Sequence, residues 1–230
     1  MSKYWGELRR YLFEVLAIIT AITLSFLFDE WRQKRKDRRD SVELLQSIRE
    51  NLVTDTTLLS AATTFHTKAI SAELYILQHA DSVMNPDSLR YGLLGFQTYP
   101  AFRGNDVAYV TMVQTGQSHV IENKDLLKQI NSLYQTQYRA VNEWTDIGRK
   151  TVVDRHIPFM NAHTPYVPRF NYRSLVGNRQ FDALLKKDEF RNMLQSDYGI
   201  KRIIVQLYDS VRKSADSLIV NINGELKKLD

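Results

Sequence analysis

The sequence predicts an all-α protein, in which one N-terminal transmembrane helix continues into an elongated antiparallel helical bundle. Three observations carry this. The 230 residues include only 9 Gly and 5 Pro, too few for a turn-dense β architecture. Apolar residues, 43% of the chain, recur at intervals of three and four, and runs of alternating β-branched residues are absent. One uncharged apolar run, VLAIITAITLSFLF from Val15 to Phe28, stands near the N-terminus.

A bilayer core of about 30 Å needs roughly 20 helical residues, so the span is extended back to Tyr11 and takes in Glu14. Residues 1–10 form a tail, 11–28 the transmembrane helix, 29–40 a basic juxtamembrane segment and 41–230 the bundle domain. The segment after the run, DEWRQKRKDRRD, is of the stop-transfer kind and contains no small-x-small cleavage site, which disfavours a cleaved signal peptide. Trp5 and Trp31 fall where aromatic side chains anchor a span, and Arg32, Lys34, Arg35 and Lys36 where basic ones meet lipid headgroups.

Six Lys or Arg follow the span within residues 29–40 and three precede it. The positive-inside rule therefore favours a cytoplasmic bundle. Residues 1–40 hold nine basic and six acidic side chains, a net of +3, which leaves +2 of the total +5 for the other 190 residues. The basic pI of 9.3 thus belongs to the membrane edge, and a nucleic-acid partner is not expected. Lipid is.

Within the span, Ala17, Ala21 and Ser25 repeat every fourth residue, and Glu14 lies one turn before them. Small residues at that spacing let helices approach closely in lipid, so this face is the candidate for packing against a partner or a second copy. An acid in a span reaches protein, water or headgroups; Glu14 either meets the interface, contacts a partner helix or handles a proton.

From Ser41 the residues Leu45, Ile48, Leu52, Leu59, Ala62, Phe65, Ile70, Leu74 and Leu77 keep helical spacing. No Pro or Gly occurs between Gly6 and Pro86, so the span is expected to run unbroken to about Ala80. A short helix follows over about 87–94, then an aromatic loop, GFQTYPAFRGND. Asn105 or Asp106 caps a short helix that stops at Gly116, and Asn123 caps a longer one reaching about Arg155. The Pro158, Pro165 and Pro168 region is expected to be a long irregular loop. A last helix from Asp188 to about Lys228 carries Phe190, Leu194, Ile204, Leu207, Val211, Ala215, Leu218, Ile222 and Leu226, with Asp188 and Glu189 facing its positive end. Helices of this kind bury their stripes by packing side by side.

The chemistry-bearing patterns are few. The chain has no Cys, no glycine-rich phosphate loop, no G-x-S-x-G and no H-E-x-x-H, so neither catalytic residues nor a cofactor are expected. Asp154, His156 and His163 form the best metal-like grouping, but Pro158 separates the two imidazoles. His66, among helical neighbours, is expected to pack or cap. The aromatic stretch from Phe159 to Tyr172 either glues a loop to the bundle or lines a ligand groove.

Glu14 opening a short span, Asp29-Glu30-Trp31 leading a basic run, and the mid-chain TGQSHVIENKDLLKQINSLYQ together resemble an uncharacterised family of small bacterial single-span membrane proteins, a domain of unknown function. That family has Gly-Glu before the span, Asn-Trp-Asn-Glu closing it and Ser-Gly-x-Leu-x-x-Ile-x-Asn-x-x-Leu in mid-chain. The matching positions are Glu14, Trp31, Gly116, Ile121, Asn123 and Leu126 or Leu127. Phe13, Asp29-Glu30, and Ser118 or His119 depart from it. The resemblance implies a bacterial cytoplasmic-membrane protein and supplies no catalytic residues. The expected role is a non-enzymatic scaffold or accessory subunit; the alternatives are a ligand-sensing module and an ion-coupled subunit using Glu14.

Overall fold

The computed structural model describes the backbone of residues 2–82, 84–166 and 171–229, with side chains from Phe13 onward. Every regular element among the described residues is helical. Helix α1 runs from Ser2 to His79 without interruption, roughly 115 Å at 1.5 Å per residue. Two further long segments build the bundle around its second half. One is α8, Asp188–Leu229. The other is a near-continuous rod made of α4 (Lys124–Asn131), a π turn (Ser132–Gln137), α5 (Tyr138–Thr151), a second π turn (Val152–His156) and α6 (Ile157–His163).

Polar contacts fix the directions. Arg38 donates to the Leu229 carbonyl at 2.7 Å, and Lys201 meets Glu73, so α8 runs antiparallel to α1. Asn123 donates to Glu225 at 2.9 Å and Thr145 meets Tyr208 at 3.2 Å, so the rod is also antiparallel to α8 and runs with α1. The chain must therefore return along α1 between residues 80 and 123. It does so in pieces: α2 (Pro86–Gln97), a non-helical strap over residues 98–106, and α3 (Val107–Gln114). Along that return, Gly92 lies against Ile76, Pro100 against His66 and Asn105 against Asp55. The result is an up-down-up-down bundle whose second leg is broken in the middle.

Local chemistry explains the breaks. Asn85 caps α2, its side chain accepting from the amides of Asp87 and Ser88, and Pro86 opens the helix without needing a donor. Gly116 takes the left-handed conformation, φ +69°, that ends α3. Asn123 accepts from the Leu126 amide and starts α4. Asp106 stands before α3 without a side-chain capping bond.

Two expectations are corrected. Pro158 does not end the rod: it sits in the first turn of α6, directly after a π turn, where the widened backbone tolerates its ring and its missing amide. The irregular stretch is consequently shorter, since Phe159 and Met160 are buried helical residues and a further helix, α7 (Arg179–Leu185), precedes α8. Pro168 lies outside the described residues. In the distal part of α1 the core face holds Ala69, Ala72 and Ile76, while Leu74 is 38% exposed. The stripe is rotated because Glu73 occupies a core position.

Toward its other end, from Phe13 to Phe28, α1 carries no cover from the other described residues. Ten large apolar side chains between Phe13 and Phe28 are exposed, Phe13, Phe26 and Phe28 at 74%, 71% and 68%. Trp31 is exposed as well and carries Arg35 over its ring at 5.5 Å, while Arg32 and Lys34 pair with Asp29 and Glu30. Lys36 is exposed on the same stretch. Among the described residues, no helix is long and apolar enough to cross a membrane; the side chains of Trp5, Tyr11 and Leu12 lie outside them.

Candidate functional site

The bundle contains two hydrophobic cores. The first, centred on Leu45, Ile48, Leu52, Tyr138, Ile204 and Leu218, ends near Ala62 on α1. The second, with Ile76, Leu93, Phe96, Phe181 and Phe190, begins at Ile76. Between them lies a belt of buried polar side chains: His66 and Glu73 on α1, Thr145 on α5, His156 on the second π turn, and Asp197 and Lys201 on α8, none more than 2% exposed. Asp55, buried within the first core, continues the series.

The belt receives the backbone of the return leg one group at a time. Lys201 Nζ donates to the Gly95 carbonyl at 3.1 Å, and His156 Nδ1 to the Phe96 carbonyl at 2.9 Å. His66 Nε2 donates to the Pro100 carbonyl at 3.2 Å. The amide of Phe102 donates to Tyr208 Oη at 3.2 Å, and that of Asn105 to both oxygens of Asp55 at 2.9 and 3.1 Å. Because the strap is not helical, its peptide groups lack internal partners, and leaving one unpaired in the interior costs about 1–3 kcal/mol. Side chains supply the bonds a helix would have made. The aromatics Tyr99 and Phe102 fill the space beside them, Tyr99 packing on His66 at 4.8 Å and Phe102 edge-on to Tyr138 at 5.5 Å.

Burial sets the protonation of these groups. It lowers His66 to about 4 and also lowers His156, so both are neutral donors to carbonyls at physiological pH. Burial raises Asp55, a rise that the bonds from Tyr138 (2.6 Å) and Asn105 only partly offset. The densest knot is Lys201, whose ammonium donates to Glu73, Asp197 and Gly95 at once, all of them without solvent. Burial pushes Glu73 up to about 8, against the attraction of Lys201 and with the repulsion of Asp197.

The π turns aim the rod's contribution. The first is followed by Tyr138, which reaches Asp55, and contains Tyr134, stacked on Tyr109 at 4.6 Å. The second presents His156, whose ring also stacks on Phe96 at 4.0 Å. Gly148 gives Tyr99 its room: a Cβ there would lie 2.1 Å from the ring. Such close approach is what only glycine permits.

His66, expected to pack or cap, is a belt member; of the residues expected to carry function, Glu14, Ala17, Ala21 and Ser25 lie on the uncovered part of α1. Asp154, His156 and His163 are not brought together as a metal group. Asp154 is exposed, His156 faces the Phe96 carbonyl, and His163 bonds the carbonyl of Phe159 at 2.9 Å. Among the described residues no cluster of three potential ligands forms. Glu73, Asp197 and Lys201 were not expected, although the nine-residue gap between Leu194 and Ile204 in the apolar stripe of α8 marks where two of them stand. Comparison with family models, curated proteins and solved structures finds no match to this chain.

Proposed function

We propose that the protein is a single-pass membrane anchor whose helical bundle acts as a non-enzymatic scaffold or accessory subunit of a membrane complex. The observation that carries this is the uncovered apolar collar of α1. Its ten large side chains lie on all sides of the helix. At about 1.5–3 kcal/mol for each such side chain left fully in water, discounted for exposures of 49–74%, the total is comparable to the about 5–15 kcal/mol by which a whole domain is stable. A helix that is apolar all round belongs in lipid or in a core.

Two details support lipid. Thr20 and Thr23 donate their hydroxyls to the carbonyls of Leu16 and Ile19, both at 2.8 Å, so these two side chains place no donor on the surroundings. The collar is followed at once by Trp31 and the basic segment, and the span proposed over 11–28 adds Tyr11 and Leu12 to it. The bundle's first buried residue, Ser41, then stands about 20 Å beyond Phe28 along the same rigid helix. With six basic residues on that side, we place the bundle in the cytoplasm.

A scaffold role is favoured because the groups able to do chemistry are closed off and occupied in holding the strap. For ligand sensing at the 159–172 stretch the structure offers a groove of about 290 Å³ lined by Leu93, Gln97, Met160, Asn161, Thr164 and Tyr172. It falls just under the usual size of small-molecule sites. The deciding experiment is fractionation of cells making the tagged full chain, with an alkaline carbonate wash. Retention in the membrane pellet, and its loss when residues 11–28 are deleted, is the expected result; full release of the intact chain by carbonate contradicts the proposal.

A further inference from the structure

Backbone satisfaction accounts for His66, His156, Tyr208, Asp55 and one contact of Lys201, but not for the pair of acids on that ammonium. One carboxylate suffices to balance one lysine. Both Glu73 and Asp197 close on it, and the outer oxygen of each, Glu73 Oε2 and Asp197 Oδ1, is buried without a hydrogen-bond partner. Three wholly buried groups with two acids and one base carry an uncompensated negative charge unless one carboxyl keeps a proton. The other titratable groups facing the cluster do not supply a positive charge. His66 on α1 is neutral, as is His156 on the π turn, and Tyr99 on the strap and Tyr208 on α8 are phenols.

We propose that the Glu73–Asp197–Lys201 cluster stores a single proton, and that its loss releases the strap, making residues 95–105 a pH-responsive latch. The geometry couples the two. The last turn of α2 lies directly on the acid: a Cβ at Gly95 would be 3.1 Å from Glu73 Oε1 and 2.5 Å from the Ala69 Cβ. The carbonyl end of a helix is itself partially negative, and the Lys201 ammonium is what holds Gly95 O against the two carboxyls. When Glu73 gives its proton to solvent, a second full charge faces that carbonyl and competes for the same ammonium. The favourable response is to admit water, which requires α2 and the strap to lift. Tyr99, Phe102 and the bonds to His66 and Tyr208 then let go together.

Amide hydrogen exchange on the full chain in phospholipid nanodiscs, between pH 6.5 and 8.5 and corrected for intrinsic rates, tests this. With Glu73 held near 8 when closed and returned to about 4.5 when open, opening of residues 93–105 should rise about tenfold per pH unit up to about 8 and then level. In Glu73→Gln the rise should vanish, and also in Asp197→Asn, where one acid balances one base; the second variant serves if the first fails to fold. Core amides of α8 over 211–222 should not follow the rise. The proposal is overturned if strap protection in the wild type is independent of pH, if either folded variant keeps the slope, or if the α8 core opens in step with the strap.

Discussion

His156 Nδ1 holds the carbonyl of Phe96 at 2.9 Å while its ring lies on the Phe96 ring, the centroids 4.0 Å apart. One side chain thereby joins the second π turn of the rod to the end of α2, and closes the distal core against the polar belt. Since a carbonyl only accepts, Nδ1 carries the proton of a neutral imidazole.

Replacing that imidazole leaves a buried carbonyl unpaired and a ring without its stacking partner. His156→Ala should lose about 1–3 kcal/mol from the carbonyl alone, with more from the lost contact, whereas exposed His119→Ala should change stability little. Urea unfolding followed by circular dichroism measures both.

The lysine cluster predicts a non-additive series. Lys201→Met removes the cation that pairs with two buried acids and should cost about 3–5 kcal/mol. Converting all three positions to apolar residues, Glu73→Met, Asp197→Leu and Lys201→Met, should cost less than the single change, because no buried charge is left uncompensated. Denaturant midpoints of the single and triple variants decide it.

Stability should depend on pH with a defined sign. Glu73 is raised from 4.5 to about 8, so the folded state keeps a proton the unfolded chain releases, and stability declines as pH rises from about 4.5 toward 8. His66 is lowered from 6.5 to about 4, so the unfolded chain takes up a proton the folded one refuses, and stability declines as pH falls from 6.5 through 4. The two oppose each other between 4.5 and 6.5. Thermal midpoints should show a plateau there, falling on both sides, and Glu73→Gln should remove the alkaline fall and turn the plateau into a fall that begins already below about 6.5.

Two glycines in helices should answer oppositely to alanine. Gly148→Ala drives a methyl into the Tyr99 ring and should cost about 1–3 kcal/mol. Gly224→Ala places its methyl in open space, with nothing within 4 Å, and should gain up to about 1 kcal/mol from the better helix former. Calorimetric melting of the two variants compares them directly.

The sequence shows long helices plainly because their stripes repeat. Ser41 to about Ala80 and Asp188 to about Lys228 follow from spacing alone, and the caps at Asn123 and the stop at Gly116 from residue chemistry. The strap is visible there only as an aromatic loop. What hides the belt is that Asp55, His66, Glu73, Asp197 and Lys201 stand at core positions of otherwise apolar stripes, where a polar residue reads as a break in the pattern. On α8 the spacing 190, 194, 197, 201, 204, 208 is unbroken once Asp197 and Lys201 are counted as interior. Which partner justifies each of them depends on a segment far away in the chain. The continuation past Pro158 is equally hidden, since a π turn has no signature in residue spacing.

The central claim is that α1 passes from lipid into the bundle as one helix. Because the sequence contains no cysteine, single cysteines can be introduced along 15–60 and spin-labelled in lipid nanodiscs, with oxygen and a water-soluble nickel complex as relaxing agents. Labels at every position from 15 to 27 should be reached by oxygen and shielded from nickel, with a 3.6-residue alternation beyond 41. Nickel access along one face of residues 15–27, with the same periodicity as the bundle, would contradict it.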